Sequence, residues 1–221
     1  MSYKENSFYQ DILVSECFYV ATEAKELVSY EILGESRVCL WSDKTLAQPF
    51  LDTKGIAFDK VKKIDVDRFV TYELDDIFNE GDQVLVNPTS KSDGDLVDVV
   101  KVSDELMSDL DSIRLKEFAK DVAKEDAVFG LSEKGAKQFA LISDDEHQRP
   151  HIMPVWSIKS RAEKVRREDF DNLELVEIEG AVFDEWLDTL RDDDKAVAID
   201  LKPGVVGTVV SAQKVIEQLA L

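Results

Sequence analysis

The sequence predicts an α+β protein built from two tandem copies of one small module, each a mixed β-sheet flanked by helices. Three observations carry that expectation. A set of apolar and aromatic blocks recurs in the same order in the two halves. Within each half, amphipathic helical stripes alternate with short β-branched runs. And 221 residues, 44% of them hydrophobic, suffice for two cores of roughly 100 residues each.

The blocks come in pairs. Phe8 and Ile12 recur as Phe118 and Val122, and Phe18-Tyr19-Val20 as Val128-Phe129-Gly130. Leu40-Trp41-Ser42 followed by Ala47 recurs as Val155-Trp156-Ser157 followed by Ala162. Ile64 and Phe69 answer to Ile178 and Phe183, and Val84-Leu85-Val86 to Val197-Ala198-Ile199. In the last block, Val102-Ser103 and Leu106 to Leu110 pair with Val210-Ser211 and Val215 to Leu219. The order never changes; only loop lengths shift the offset. The copies are residues 1–111 and 112–221. No Gly- or Pro-rich linker marks Asp109-Leu110-Asp111-Ser112, which predicts that they pack as an internal pseudo-dimer.

Each copy opens with a helix (Phe8–Val14; Leu115–Ala123), followed by strands at 17–22 and 127–131. A second strand (Leu27–Leu33; Gln138–Ser143) and a third ending in Trp-Ser come next. Ser160 and Glu163, three apart, predict a capping box at the start of a short helix. After the strand Leu173–Glu179, the spacing of Val182, Phe183, Trp186, Leu187 and Leu190 makes the stripe of a core-facing helix. Phe69, Val70, Leu74, Ile77 and Phe78 repeat it in the first copy, with Gly81 as its C′ residue. A strand at Gln83–Val86 or Ala196–Leu201 leads to one more strand and a closing helix, N-capped by Ser103 or Ser211.

The chain carries 47 acidic against 27 basic residues, a formal charge of −20, which repels phosphate backbones and anionic membranes. Nucleic-acid and membrane partners are therefore not expected. No run is long enough to span a bilayer, and the polar N-terminus leads into no apolar signal core. Cys17 and Cys39 lie in apolar surroundings outside any CxxC spacing and read as buried, reduced thiols. Together these predict a cytoplasmic protein.

Candidate chemistry is sparse. His147 and His151 sit beside carboxylates and are the weak metal candidates, but Pro150 keeps them off one helix face, so no metal site is expected. Ser42 and Ser157 lack a glycine elbow and a histidine base, and read as N-caps or turn residues. Trp41, Trp156 and Trp186 read as core. The acidic runs Asp75-Asp76, Asp144-Asp145-Glu146 and Asp192-Asp193-Asp194 fit helix ends and loops, and Asp93-Gly94-Asp95 lacks the ligand alternation of a calcium loop. There is no Walker A, GxGxxG or HExxH motif, so no cofactor is expected and the balance leans away from an enzyme. The most specific local feature is basic. Lys159, Arg161, Lys164, Arg166 and Arg167 crowd the short helix after Trp156-Ser157. With Ser157 they form a candidate site for an anion or an acidic partner in the second copy only; the alternative is that they offset the neighbouring carboxylates Glu163, Glu168 and Asp169 as surface pairs.

Met153-Pro154-Val155-Trp156-Ser157, Ala162, Phe183, Trp186-Leu187, Leu190 and Val197 to Ile199 resemble the bacterial domain of unknown function numbered 2750, over residues 115–219. The first copy keeps the Trp-Ser and helix elements of that pattern without the preceding proline. It is also similar to SseB-type proteins through Trp41-Ser42, Ala47 and Val84-Leu85-Val86-Asn87-Pro88. These resemblances imply a fold and a bacterial, cytosolic source, and bring no catalytic motif or cofactor. The expectation is a non-catalytic module that binds another protein. The alternative is a small-ligand binder or enzyme using the cleft between the copies.

Overall fold

The computed structural model describes residues 6–136, 138–143, 151–205 and 207–221. It divides into two compact units, Met1–Asp109 and Leu110–Leu221. The first contains α1 (Ser7–Ser15), β1 (Cys17–Glu23), β2 (Glu26–Leu27), β3 (Ser29–Ile32), β4 (Glu35–Trp41), α2 (Lys44–Lys54), β5 (Lys60–Asp65), α3 (Val66–Tyr72), α4 (Leu74–Ile77), β6 (Gln83–Val86) and β7 (Asp95–Asp98). Helix α5 (Val99–Glu125) supplies residues to both units. The second unit continues with β8 (Ala127–Glu133), β9 (Ile152–Trp156), α6 (Lys159–Asp169), β10 (Leu173–Glu179), α7 (Gly180–Asp192), β11 (Ala196–Ile199), β12 (Thr208–Ser211) and α8 (Ala212–Leu219).

The two sheets are mixed, with the same strand order. In the first, β5, β1, β4, β6 and β7 lie side by side, with β2 on β1 and β3 on β4; in the second the order is β10, β8, β9, β11, β12. Among the described residues, only the central pairs, β4 with β6 and β9 with β11, are parallel. Helices cover both faces. In the second unit Phe118, Phe183, Leu187, Leu190 and Val215 bury one face of the sheet, and Ala162 and Val165 of α6 bury the other around Trp156. In the first unit Ala47, Phe50 and Leu51 of α2 pack around Trp41 in the same way. The α+β expectation of two mixed sheets flanked by helices therefore describes the molecule.

Several details differ from the sequence expectation, each for a local reason. The closing helix of the first half and the opening helix of the second are one element, α5, because no Gly or Pro interrupts residues 99–125. Ser103 consequently lies inside a helix; the residue matching Ser211 is Asp98. Lys101 N donates to Asp98 Oδ1 (3.0 Å) and Lys214 N to Ser211 Oγ (3.3 Å). The last pair of sequence blocks was thus out of step, and Val102 matches Val215. Ser160 is the second residue of α6, whose N-cap is Ile158 with no side-chain bond, so the capping box does not form. The helix expected over 69–78 breaks into α3 and α4 at Glu73, where Thr71 Oγ donates to Asp67 O (2.7 Å), a back-bond that bends helices. Gly81 does not cap it; α4 ends at Phe78, and Gly81 (φ +88°) belongs to the turn closed by Asp82 N donating to Asn79 O. The strand expected at 27–33 splits around Val28, which turns into the core. Residues 138–143 form only the isolated bridges of Phe139 to Ser132 and Ile142 to Ile152. In α7, Phe183, Leu187 and Leu190 are buried, whereas Val182 is exposed and Trp186 half-buried against Phe139.

Two predictions arise from the packing. Both cysteines are buried free thiols, and burial pushes the Cys39 thiol up to about 12. The thiolate is the reactive form, so Cys39 is expected to resist a chromogenic disulfide reagent at mildly alkaline pH in the native protein and to react after denaturation. Rapid native labelling of Cys39, read by peptide mapping, would refute this. Second, Phe8, Ile12, Phe69, Val102, Ser103 and Leu106 line an apolar cavity of about 30 Å³ in the first unit. With Val102 matched to Val215, the position of Ser103 is held in the second unit by Ile216, which packs on its core. Ser103→Ile should fill the space and raise stability by roughly 1 kcal/mol. Urea denaturation checks the sign; a net loss would mean the walls cannot admit the larger side chain.

Candidate functional site

The polar groups that converge in each unit do so at the ends of its two parallel strands. In the first unit β4 ends at Trp41 and β6 at Val86; Asn87 then adopts a left-handed conformation (φ +48°), which short polar side chains tolerate. Its amide reaches across the strand end. Ser42 N donates to Asn87 Oδ1 (2.8 Å) and Asn87 Nδ2 donates to Ser42 Oγ (3.0 Å). Ser42 Oγ in turn donates to Asp11 Oδ2 of α1 (2.6 Å). Beside it, Trp41 Nε1 donates to Pro88 O (2.9 Å). The joint ties a helix, two strands and the start of α2 together.

The second unit builds the same joint with different charge. Asp200 follows β11 with φ +46°. Ser157 N donates to Asp200 Oδ1 (2.9 Å) and Ser157 Oγ to Asp200 Oδ2 (2.9 Å), with Asp121 Oδ2 of α5 at 3.4 Å. Trp156 Nε1 donates to Leu201 O (3.0 Å). Arg161 Nη1, four residues beyond Ser157, donates to Asp200 Oδ2 (3.3 Å). Four residues beyond Ser42 stands Leu46. A neutral Asn is thus matched with a leucine, and a carboxylate with a guanidinium. The pairing follows from the cost of holding uncompensated charge in a partly buried joint.

This geometry places the sequence candidates. Ser42 and Ser157 are not helix caps: they are 9% and 2% exposed, and their hydroxyls donate to carboxylates. Helix α2 is capped instead by Asp43, whose Oδ1 accepts from Thr45 N (2.8 Å). Ser157 lies in the joint beneath α6. Of the five basic residues on α6, Arg161 is paired with Asp200, and Arg166 is half-buried with Nη1 donating to Leu173 O (3.4 Å). Lys159, Lys164 and Arg167 are exposed. His147 and the run Asp144-Asp145-Glu146 lie outside the described residues. His151 is half-buried just before β9; its amide donates to Ile142 O (2.9 Å) and its carbonyl accepts from Ala196 N (2.9 Å). Among the described residues, no group of three or more His, Cys, Asp or Glu is arranged to hold a metal.

Sequence reasoning missed Asp11, Asp121 and Asp200, and used Asn87 only as part of a resemblance. The signal was present: Val84-Leu85-Val86 and Val197-Ala198-Ile199 are each followed directly by an Asx residue, and Asp11 and Asp121 each precede the matched Ile12 and Val122.

With that joint described, comparison with known proteins is direct. Residues 115–219 match the family described as Protein of unknown function (DUF2750). The match runs from within α5 to α8 and contains the Trp156-Ser157 joint, Arg161 and Asp200. No curated protein matches the chain. Among solved structures, Anabaena Tic22 (protein transport) is similar at 13% identity, covering 86% of this chain and 91% of that one, with a TM-score of 0.24. Among the described residues, no helix is long and apolar enough to cross a membrane.

Proposed function

We propose that the chain is a duplicated, non-catalytic interaction module of the bacterial cytosol, and that the outer face of α6 meets an acidic protein partner. The observation that carries this reading is a contrast between corresponding helices. Helices α2 and α6 are seated alike, with Ala47 and Ala162 fully buried in the same position after the Trp-Ser pair. Their exteriors differ: α2 carries Lys44 and Lys54, whereas α6 carries five basic residues, three of them on its exposed surface. The common frame with a changed exterior is what surface specialisation after duplication produces. The matching strand order and the repeated Trp-Ser-Asx joint support the duplication itself. Two buried free thiols support a reducing compartment, and the −20 charge argues against nucleic acid and anionic membranes as partners.

The test uses Lys159→Glu, Lys164→Glu and Arg167→Glu together, leaving Arg161 and Arg166 to their structural bonds. Wild-type and variant proteins of equal helicity by circular dichroism are used to capture partners from source lysate at low and high salt. The expected result is an acidic protein held by the wild type, released by salt and lost by the variant. Equal capture by both proteins would contradict the α6 reading.

A further inference from the structure

The cavity of about 30 Å³ in the first unit lies between its sheet and the helices α1, α3 and α5. Among the described residues that line it, Ser103 alone is polar. Ser103 is 8% exposed, and among the described residues its hydroxyl has no hydrogen-bond partner. A helical hydroxyl usually satisfies itself on the carbonyl four residues back, as Thr71 does on Asp67 O (2.7 Å). Leaving a buried hydroxyl unpaired is costly. Local packing explains the space. In the second unit Phe118 and Phe183 meet edge to face at 6.3 Å, and Ile216 and Leu219 pack on the same core. In the first unit the matching Phe69 packs instead on Phe18 (5.0 Å) and Phe78 (6.2 Å), because Phe18 stands where the second unit has Val128. A serine then occupies the position of Ile216.

We propose that this cavity is a binding site for a small neutral molecule with an aliphatic end and one hydrogen-bonding oxygen, the class of the shortest alcohols, held by Ser103 Oγ. Size sets the first limit. A single water needs roughly 10–15 Å³ of such space, so the cavity admits about two or three heavy atoms. Polarity sets the second. A buried water makes about three hydrogen bonds, and the lining side chains offer one polar group, so water is poorly held. No charged side chain lines the cavity among the described residues, so an ion would enter uncompensated. A serine hydroxyl both donates and accepts, and therefore pairs with another hydroxyl in either sense. The aliphatic end of the ligand takes the place that Ile216 fills in the second unit, among Phe8, Ile12, Phe69 and Leu106. Ligand and packing thus compete for one space, and Ser103→Ile, expected to stabilise the fold, is expected to close the site.

Methyl-selective NMR of the intact chain tests this, with Ile12, Val84 and Leu106 as reporters in the cavity wall and Leu187 of the second unit as control. Ethanol is titrated in one series, and xenon under pressure in another. Circular dichroism verifies that Ser103→Ala and Ser103→Ile are folded. In wild type, ethanol should shift the three reporters saturably and leave Leu187 unmoved. The expected Kd is about 1 mM or weaker, the limit for a ligand of so few atoms. Ser103→Ala keeps the space and removes the hydroxyl, so ethanol should bind about 2- to 10-fold more weakly while xenon still enters. Ser103→Ile should abolish both. Xenon entering wild type without any saturable ethanol shift would reduce the cavity to a void and overturn the proposal. So would an ethanol affinity unchanged by Ser103→Ala, or ethanol shifts that survive Ser103→Ile.

Discussion

Changing Trp156 to alanine should remove about 3–5 kcal/mol of stability, the largest single-residue effect expected here. The indole is fully buried among Leu131, Ile152, Ala162, Val165 and Ala198, where the sheet meets α6. Its loss leaves a void in a packed interface and deprives Leu201 O of the Nε1 donor at 3.0 Å. The two effects separate. Trp156→Phe keeps much of the ring volume and loses the donor, so it should cost about 1–2 kcal/mol, the penalty of a buried carbonyl left unpaired. Urea denaturation followed by far-ultraviolet circular dichroism reads both. An alanine variant that unfolds within about 1 kcal/mol of wild type would show that the indole does not anchor α6.

Gly94→Ala is expected to cost about 3 kcal/mol, although the residue lies in a loop. Gly94 has φ +79°, and a Cβ there would press on Val86 O and come within 2.8 Å of Pro88 N, both backbone atoms that cannot turn aside. Those atoms flank Asn87 and the carbonyl of Pro88 that receives Trp41 Nε1, so the strain would fall on the first unit's joint. Gly34 is the control. It has φ +82° with nothing within 4 Å of an added Cβ, so Gly34→Ala should cost only the left-handed backbone penalty of about 1 kcal/mol. Equal losses for the two variants, measured by urea denaturation, would remove the steric argument.

How much of this was legible in the sequence depended on range. Helical stripes such as Phe183, Leu187 and Leu190 and runs such as Val84-Leu85-Val86 are local signals of burial, and the structure buries them. Collinear blocks led to matching sheets because the aromatic and β-branched positions that repeat are core positions. What failed was punctuation. Ser103 and Ser160 looked like caps because a serine before an apolar run resembles one, yet nothing nearby stops α5, and α6 begins earlier. The joint was hidden for a different reason. Ser157 lies 43 residues from Asp200 and 36 from Asp121; parallel pairing of β9 with β11 brings it to the first, and packing of α5 on the sheet to the second. Arg161 read as part of a basic surface because its carboxylate partner lies 39 residues away.

The central claim is that both units turn on the same structural joint, whose Asx residue is a neutral asparagine in one and an aspartate paired with Arg161 in the other. Asp200→Asn and Asn87→Asp, compared by urea denaturation, test it most directly. Asparagine at 200 can accept from Ser157 N and donate to Ser157 Oγ as Asn87 does for Ser42, and Arg161, with its side chain 54% exposed, stays hydrated. That change should cost under about 1 kcal/mol. Aspartate at 87 would face Asp11 across Ser42 with Leu46 where a guanidinium is needed, and should cost about 1–3 kcal/mol. A larger loss for Asp200→Asn than for Asn87→Asp would contradict the account.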